Sequence, residues 1–184
     1  MANTKWVLDP THSEIGFKVK HLMISSVSGN FAEFKATVET QGEDFTTAKV
    51  SFSADIHSIV TNNEQRDAHL KNGDFFDADN HPQLTFESTK LVKVDDENYM
   101  LDGTLSMRGT SKQVSLAVEF GGTTIDPWGG TRAGFSLKGK INRSDFGISF
   151  GMVSETGGLL LGEEVKLSAE VQFVKEVVAE PVLV

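Results

Sequence analysis

The sequence predicts an all-β protein, an eight-stranded antiparallel barrel with one short helix that caps or plugs it. Apolar and polar residues alternate along most of the 184-residue chain, and this period of two is typical of strands with one buried face. The strands are separated mostly by short turns, which favours antiparallel pairing. The single helix interrupts the pattern near the middle of the chain.

A barrel is preferred to a sandwich of two sheets, which stays the alternative. Closing an antiparallel sheet on itself hides its edge strands, and eight strands leave room for side chains or one slim ligand. The strands are long, and the helix is placed to act as a plug.

The strand pattern begins at residues 6–8 and 15–19, is blurred around Phe31 and Phe34, and slips in phase near Ser88. A slip of this kind predicts a β-bulge. The clearest alternation is carried by Ala48, Val50, Phe52, Ala54 and Ile56. Further strands follow at residues 84–91, 99–107, 114–120, 133–141 and 165–173.

The central segment predicts a helix over about residues 62–72. Thr61 and Glu64 have the spacing of a capping box, and Gly73 stands where a helix would end. Phe75 and Phe76 follow as an apolar pair. A helix this short has no core of its own, so it is expected to cover one end of the barrel.

Charge and composition exclude several classes of function. The net charge is −9 with a pI near 5.0, which argues against binding to nucleic acid and disfavours adsorption to an anionic membrane. There is no cysteine, which rules out disulfides, thiol catalysis and cysteine-ligated metals. No cofactor is expected, and no stretch is long and apolar enough for an integral membrane segment.

The chain is expected to form one domain over residues 1–184, with a core of about 6–175 and a tail of 176–184. Because no apolar signal sequence precedes Trp6, a cytoplasmic location is expected, or a periplasmic one if a leader peptide has been removed. The oligomeric state is left open, with a homodimer as one possibility.

Five histidines and two arginines are the candidate polar site residues. No histidine pair has the spacing of a helical zinc site, so no metal is expected. His12 and Ser13 raise the alternative of a small hydrolase or isomerase acting on an apolar substrate at the barrel mouth, although no nucleophile motif surrounds them. Arg66 is interpreted as the partner of Asp67 in an ion pair, or as a contact for a polar ligand head. Arg143 is interpreted as a strut at a strand end.

Phenylalanine is abundant, with 13 residues against one tyrosine and two tryptophans. Its rings carry no polar tip and suit a dry interior. A packed core and an apolar cavity both fit this composition, and the lack of inward polar residues favours the cavity. The glycine-flanked leucines at residues 159–161 suggest either a loop folded over the core or an apolar flap, which in a third hypothesis docks a protein partner.

Motifs spread over residues 6–173 resemble the YceI-like family of polyisoprenoid-binding proteins. They are Trp6, Asp9, His12-Ser13, Phe17, His21-Leu22, Gly29, Phe31, Arg66-Asp67, His69-Leu70, Asp74-Phe75-Phe76, Pro82, Phe86, Ser88-Thr89, Gly103, Leu105, Arg108-Gly109, Arg143 and Asp145-Phe146-Gly147. The resemblance implies a lipocalin-like barrel, often dimeric, whose long apolar pocket binds an isoprenoid chain without catalysis.

The expected ligand is therefore a polyisoprenoid or another long-chain amphiphile such as a prenyl quinone or an acyl lipid, for transport or storage. His12, Ser13, Arg66 and Arg143 are assigned to a polar rim. The expected pocket lining is Phe17, Val19, His21, Phe52, Ile56, Phe75, Phe76, Phe86, Leu101, Leu105, Leu116, Phe135, Leu137 and Phe146.

Overall fold

A computed structural model describes residues 3–151 and 160–176. It contains eleven strands in these two ranges and one α-helix, α1, at Glu64–Lys71. The strands are β1 Asn3–Leu8, β2 Glu14–His21, β3 Ser25–Phe31, β4 Phe34–Gln41, β5 Asp44–Asp55, β6 Ile59–Val60, β7 Gln83–Lys93, β8 Asn98–Met107, β9 Thr110–Ile125, β10 Thr131–Asn142 and β11 Leu161–Lys175.

Eight of these strands close into an antiparallel barrel, which confirms the predicted fold class. The order around the barrel is β1-β4-β5-β7-β8-β9-β10-β11, and β11 pairs back with β1. Closure leaves no free edge among these strands.

The strands β2, β3 and β6 continue the wall beyond this ring. β11 pairs with β1 at Leu8↔Phe173 and with β2 at Glu14↔Glu170, so β1 and β2 are two halves of one strand interrupted by a 3₁₀ turn at Pro10–His12. The partner strand is broken in the same way between β3 and β4. This break explains the blurred alternation near Phe31 and Phe34.

The predicted bulge is present between Ser88 and Lys90, where the register of β7 against β8 shifts. It has a clear function in the sheet. The backbone N–H of Val50 lies beyond the last paired residues of β5 and β7, and it donates to the Ser88 hydroxyl at 2.8 Å. The bulge therefore satisfies a donor that the ladder leaves open.

The helix α1 is shorter and capped differently than predicted. Its N-cap is Asn63, whose side chain accepts from the Arg66 N–H at 3.0 Å. Thr61 takes no part in a capping box, because its own N–H donates to the Asp67 carboxylate at 2.9 Å. The helix stops at Lys71, before Gly73.

The two ends of the barrel, the helix end and the floor end, carry different segments. The helix end carries α1, the loop 72–82, the β2–β3 turn and the segment 143–151. The floor end carries the β4–β5, β7–β8 and β9–β10 turns. Trp6, with no exposed surface, and Phe45 pack there at 5.0 Å between ring centroids.

Residues 177–184 of the expected tail and residue 159 of the expected flap at residues 159–161 lie outside the described ranges. Of the tail, Glu176 is described, and its N–H donates to the Lys5 carbonyl at 2.8 Å. Within the described residues, no helix has both the length and the apolarity that crossing a bilayer requires.

Candidate functional site

The barrel encloses an apolar cavity of about 470 Å³. This volume falls within the range of small-molecule and cofactor sites, which is roughly 300–1,000 Å³. Its walls come from inward-facing residues of strands on all sides of the barrel. It extends from the aromatic residues of the floor end to α1 and the segment 143–151 at the helix end.

The structure brings together all but two of the residues expected to line the pocket, and their contact with a ligand stays a prediction. Those on the cavity wall are Phe17, Val19, His21, Phe52, Phe75, Phe76, Phe86, Leu101, Leu105, Leu116, Phe135 and Leu137.

Ile56 and Phe146 are placed elsewhere. The side chain of Asp55 accepts from the His57 N–H at 2.9 Å, and this begins a 3₁₀ turn that ends β5 one residue before Ile56. Ile56 therefore packs with Phe31 and Ile59 behind the wall. Phe146 ends the 3₁₀ turn Arg143–Phe146 and is buried in the core, with 1% of its surface exposed.

Many further lining residues share the inward phase of their strands, and that alternation is the signal that could have identified them. They include Ile15, Val27, Phe31, Ala36, Val38, Phe45, Val50, Leu84, Leu91, Tyr99, Met107, Val114, Val118, Ile141, Val165, Leu167, Ala169, Val171 and Phe173. A second group lies at the helix end. All of its members except Leu161, the first residue of β11, lie outside the strands, so alternation could not identify them. The group consists of His69, Leu70, Ile148, Phe150, Leu160 and Leu161.

Inward glycines make space for large lining side chains. A Cβ on Gly103 would lie 2.4 Å from the Phe86 ring, and a Cβ on Gly139 would lie 2.4 Å from the Leu116 side chain. Both contacts are too short for real atoms. Phe86 and Leu116 can therefore lie against the wall because the facing residue has no side chain.

The floor of the cavity is a cluster of aromatic rings. Phe45 contacts Phe120 and Phe135 at centroid distances of 5.3 and 5.2 Å, and Phe135 contacts Phe173 at 6.1 Å. The indole N–H of Trp6 behind them donates to the Thr40 hydroxyl at 3.2 Å, so this end is both dry and fully paired.

The polar residues that line the cavity near the helix end include Arg66, His69, His21 and Arg143. Arg66 donates from Nε and Nη2 to the hydroxyl and carbonyl of Thr61, at 2.8 and 2.6 Å, and the expected ion pair with Asp67 is not formed. His69 lies 2.8 Å from the Asp74 carboxylate through Nε2 and packs edge-on against Phe75 and Phe150. The ring of His21 forms no hydrogen bond within the described residues.

Arg143 lines the cavity and is also a buried strut, with 4% of its surface exposed. Its guanidinium donates to the carbonyls of Gly162 at 2.9 Å and Phe150 at 2.6 Å. It therefore fastens the segment 143–151 to the start of β11. Burial lowers the pKa of this guanidinium, and the charge of Glu163 opposes that shift.

Arg108 joins two other parts of the helix end. It donates through Nη1 to the Gly147 carbonyl and through Nη2 to the Gly73 carbonyl, both at 2.6 Å. These bonds connect the β8–β9 turn, the loop after α1 and the segment 143–151. The helix end is thus held by arginine contacts to backbone carbonyls.

His12 and Ser13 lie on the outer wall, away from the cavity. His12 Nδ1 is 2.8 Å from the Asp9 carboxylate, and Arg132 Nη1 donates to the same oxygen at 2.7 Å. The Ser13 hydroxyl donates to the Asp9 carbonyl at 2.7 Å. These bonds hold the break between β1 and β2, because both residues belong to the turn that crosses it.

The Asp9 carboxylate is strongly stabilised in its charged form. Hydrogen bonds from Thr11, then Arg132 and then His12 hold the pKa of Asp9 well below its ordinary value of 3.8. His12 and Ser13 both contact Asp9 and do not form a nucleophile–base pair with each other. Across residues 3–151 and 160–176, no three histidine, aspartate or glutamate side chains converge as a metal site.

Comparison with known proteins identifies the family of this fold and site. A family model described as a YceI-like domain matches residues 6–173. The UPF0312 protein SA2479 of Staphylococcus aureus is 39% identical over 171 residues, which cover 92% of this chain and 97% of that protein.

Solved structures show the same fold. The YceI protein of Campylobacter jejuni is 36% identical with a TM-score of 0.76, covering 86% of this chain and 90% of that one. BcnA of Burkholderia cenocepacia has a TM-score of 0.78 at 21% identity, with 90% and 98% coverage. A polyisoprenoid binding domain from Saccharophagus degradans has a TM-score of 0.69 at 15% identity, with 93% and 98% coverage.

Proposed function

Because the chain belongs to the YceI-like family, we propose that it binds a polyisoprenoid or similar long-chain amphiphile inside the barrel, without catalysis. The observation that carries the proposal is the apolar cavity of about 470 Å³ between the aromatic floor and α1. The polyisoprenoid binding domain from Saccharophagus degradans shares the fold, which supports a ligand of this class.

The hydrocarbon chain supplies the affinity. Burying one CH₂ group is worth about 0.8 kcal/mol, so a chain of about twelve carbons contributes about 10 kcal/mol before costs. Loss of translational and rotational freedom costs at least several kcal/mol of this. Affinity should therefore rise with chain length, until the cavity is filled.

The ligand head is expected at the helix end. Apart from the Tyr99 hydroxyl, the floor end offers apolar side chains to a ligand, whereas His21, Arg66 and His69 place several nitrogen atoms near the other end of the cavity. A polar head such as a quinone ring would accept a hydrogen bond there, and the same head at the floor would lose its bonds to water. We assign the hydrocarbon tail to the floor.

A transport or storage role follows from a non-catalytic cavity. The hydrolase or isomerase alternative depended on His12 and Ser13 at the mouth. Their side chains instead brace the outer wall, so no observation favours that function over binding.

A pair of variants on β9 tests the proposal. Val114→Trp places a large ring on the cavity wall, and Ala117→Trp places the same ring on the exposed outer face of the same strand. We expect Val114→Trp to reduce binding of a prenyl quinone at least tenfold and Ala117→Trp to leave it unchanged. Quenching of tryptophan fluorescence by the quinone measures this, with Trp6 packed against Phe45 of the cavity lining as the native reporter. Equal affinities for both variants would contradict binding inside the barrel.

A further inference from the structure

The turn between β2 and β3 presents three large apolar side chains to solvent, and these residues are called the hairpin tip. Leu22, Met23 and Ile24 are 43%, 55% and 84% exposed. Single exposed apolar residues are common, but three consecutive ones form a patch. Exposed apolar patches often mark interaction sites.

The backbone of the hairpin tip is also held in an unfavourable conformation. Leu22 and Met23 have φ angles of 52° and 60°, which is the left-handed region that two-residue hairpin turns require. Asn-Gly is the preferred sequence for such a turn. A turn chosen for stability alone would not place leucine and methionine there, so their side chains serve another purpose.

The hairpin tip adjoins the mouth of the cavity. His21, which lines the cavity, directly precedes it, and the Leu22 N–H donates to the Leu160 carbonyl at 2.9 Å. Leu160 and Phe150 also line the cavity, and Phe150 is 42% exposed. The tip is therefore joined to the cavity lining through His21 and Leu160.

Three lysines lie side by side on the outer wall below the tip, and they are called the lysine row. Lys166 of β11 is directly opposite Lys18 of β2 on one side and Lys140 of β10 on the other. Like charges placed directly opposite on neighbouring strands repel. Of the three, only Lys140 has a carboxylate within 4 Å among the described residues, at 3.9 Å from Glu164.

The row is extended by further cations on the same face. Lys20 is two residues after Lys18 on β2, and Lys138 is two residues before Lys140 on β10. Both are exposed and point to the same side of the sheet as the row. Glu163 and Glu164 are the acidic residues at the start of β11. Glu14 of β2 and Glu170 of β11 lie on the same outer face but farther from the tip. The half of this face next to the tip is therefore basic, although the whole chain carries a net charge of −9.

We propose that the hairpin tip and the lysine row form a docking surface for an anionic phospholipid bilayer. The apolar tip enters the boundary between head groups and acyl chains, and the lysines bind lipid phosphates. Docking would allow cargo to pass directly between the bilayer and the cavity. This purpose rests on the proposed function, whereas the docking surface is independent of it.

The spacing along β2 suits such an interface. A strand rises about 3.3 Å per residue, so Lys20 lies about 7 Å and Lys18 about 13 Å from Leu22. Apolar segments that bind at a membrane surface enter about 5–10 Å into this boundary. The flexible lysine side chains can then reach the head groups while the tip is inserted.

The floor end presents the competing apolar surface, at Trp128 and Ile125, which are 85% and 72% exposed. Its turns are acidic, with Asp126 beside Trp128 and further carboxylates at Asp44 and Asp95. An anionic bilayer repels this end. The net charge alone argued against an anionic membrane, but the local distribution of charge decides which face docks.

Vesicle sedimentation with the full chain tests the proposal. The probes are vesicles of phosphatidylcholine alone and vesicles containing about one-third phosphatidylglycerol. One lysine near an anionic surface changes partitioning by about fivefold. We expect clear preference for the anionic vesicles, a loss of about 25-fold in that preference for Lys18→Gln with Lys166→Gln, and loss of binding for Leu22→Asn, Met23→Gly with Ile24→Ser.

The controls separate docking from folding and from cargo binding. The tip variant introduces the preferred turn sequence, so its thermal unfolding should be unchanged or raised. Trp128→Ser with Ile125→Ser should keep vesicle binding, and Val114→Trp should keep it while losing quinone binding. Equal binding to both vesicle types, loss of binding in the Trp128 variant, or a tip variant that only dissociates a dimer would each overturn the proposal.

Discussion

The floor end and the helix end of this barrel are built for different purposes. At the floor end, short turns are fixed by their own carboxylates, as where Asp95 accepts from the N–H groups of Glu97 and Asn98 at 2.9 and 2.8 Å. Hydrogen bonds from these two residues hold the pKa of Asp95 below its ordinary value. Behind the turns, aromatic rings pack without polar gaps.

The helix end carries long connections, at residues 61–82 and 143–151, beside the tight β2–β3 and β8–β9 turns. Arg108 and Arg143 hold its segments by donating to backbone carbonyls, and His69 packs edge-on against Phe75 and Phe150. Such hydrogen bonds bury less apolar area than a packed core does. The free energy of local unfolding should therefore be lower at the helix end than at the floor end. The difference indicates that stability resides at the floor and access to the cavity at the helix end.

The largest expected effect is at the floor. Trp6→Ala removes a fully buried indole and should lower the free energy of unfolding by about 3–5 kcal/mol. Trp128→Ala, at an 85% exposed position, should change it by less than about 0.5 kcal/mol. Urea denaturation of the two variants measures both values. Similar losses would show that the floor is not the stable end.

Arg143→Met should have the next largest effect and should act on the helix end. The substitution leaves the buried carbonyl of Gly162 and the partly buried carbonyl of Phe150 without their donor, at a cost of about 2–3 kcal/mol. Hydrogen exchange should quicken at the Ile148 and Leu161 amides, whose acceptors are the carbonyls of Arg143 and Gly151. Equal acceleration at the Val38 amide of β4 would mean that Arg143 supports the whole barrel rather than this end.

Asp9→Asn should cost less, about 1 kcal/mol at pH 7, and should do so through charge. Because the folded pKa of Asp9 lies below its ordinary value of 3.8, its stabilising effect is complete above that value and disappears as the pH falls through the folded pKa. The difference in stability between the wild type and the variant should therefore shrink below about pH 4. A difference that stayed constant down to pH 2 would show that the charge of Asp9 is not responsible.

Asp74→Asn should have the smallest effect. Its carboxylate pairs with His69 at the helix end, but the two side chains are 49% and 40% exposed, and such pairs contribute less than about 1 kcal/mol. We expect a change in unfolding free energy below about 0.5 kcal/mol, measured by thermal unfolding. A larger loss would place stability at the helix end and weaken the contrast between the two ends.

The sequence predicted the wall of the barrel better than its ends. Alternation with period two identifies the inward residues of a strand, and so Phe52, Leu101 and Leu137 were placed on the cavity wall without coordinates. The same rule failed at Ile56, because Asp55 caps a turn one residue earlier and the period no longer applies. Phe146 lies in the 3₁₀ turn after β10, where strand alternation gives no information on which way a side chain points.

Side-chain partners were not predictable, because they depend on contacts between distant segments. Arg66 precedes Asp67 in the chain, yet both bind Thr61, and the acceptor of Arg108 Nη2 is the carbonyl of Gly73, 35 residues away. His12 and Ser13 look reactive in sequence, but the break between β1 and β2 turns them to the outer wall. At the helix end of the cavity, Phe75 and Phe76 were predicted from the sequence, whereas Ile148 and Phe150 were found only in the structure.

Organic extraction of the purified native protein, followed by mass spectrometry, shows whether the barrel holds a hydrocarbon chain. We expect a prenyl or acyl species in near-stoichiometric amount, with a long apolar chain and a compact polar head. An empty extract, obtained again after incubation of the protein with prenyl quinones of several chain lengths, would contradict the account.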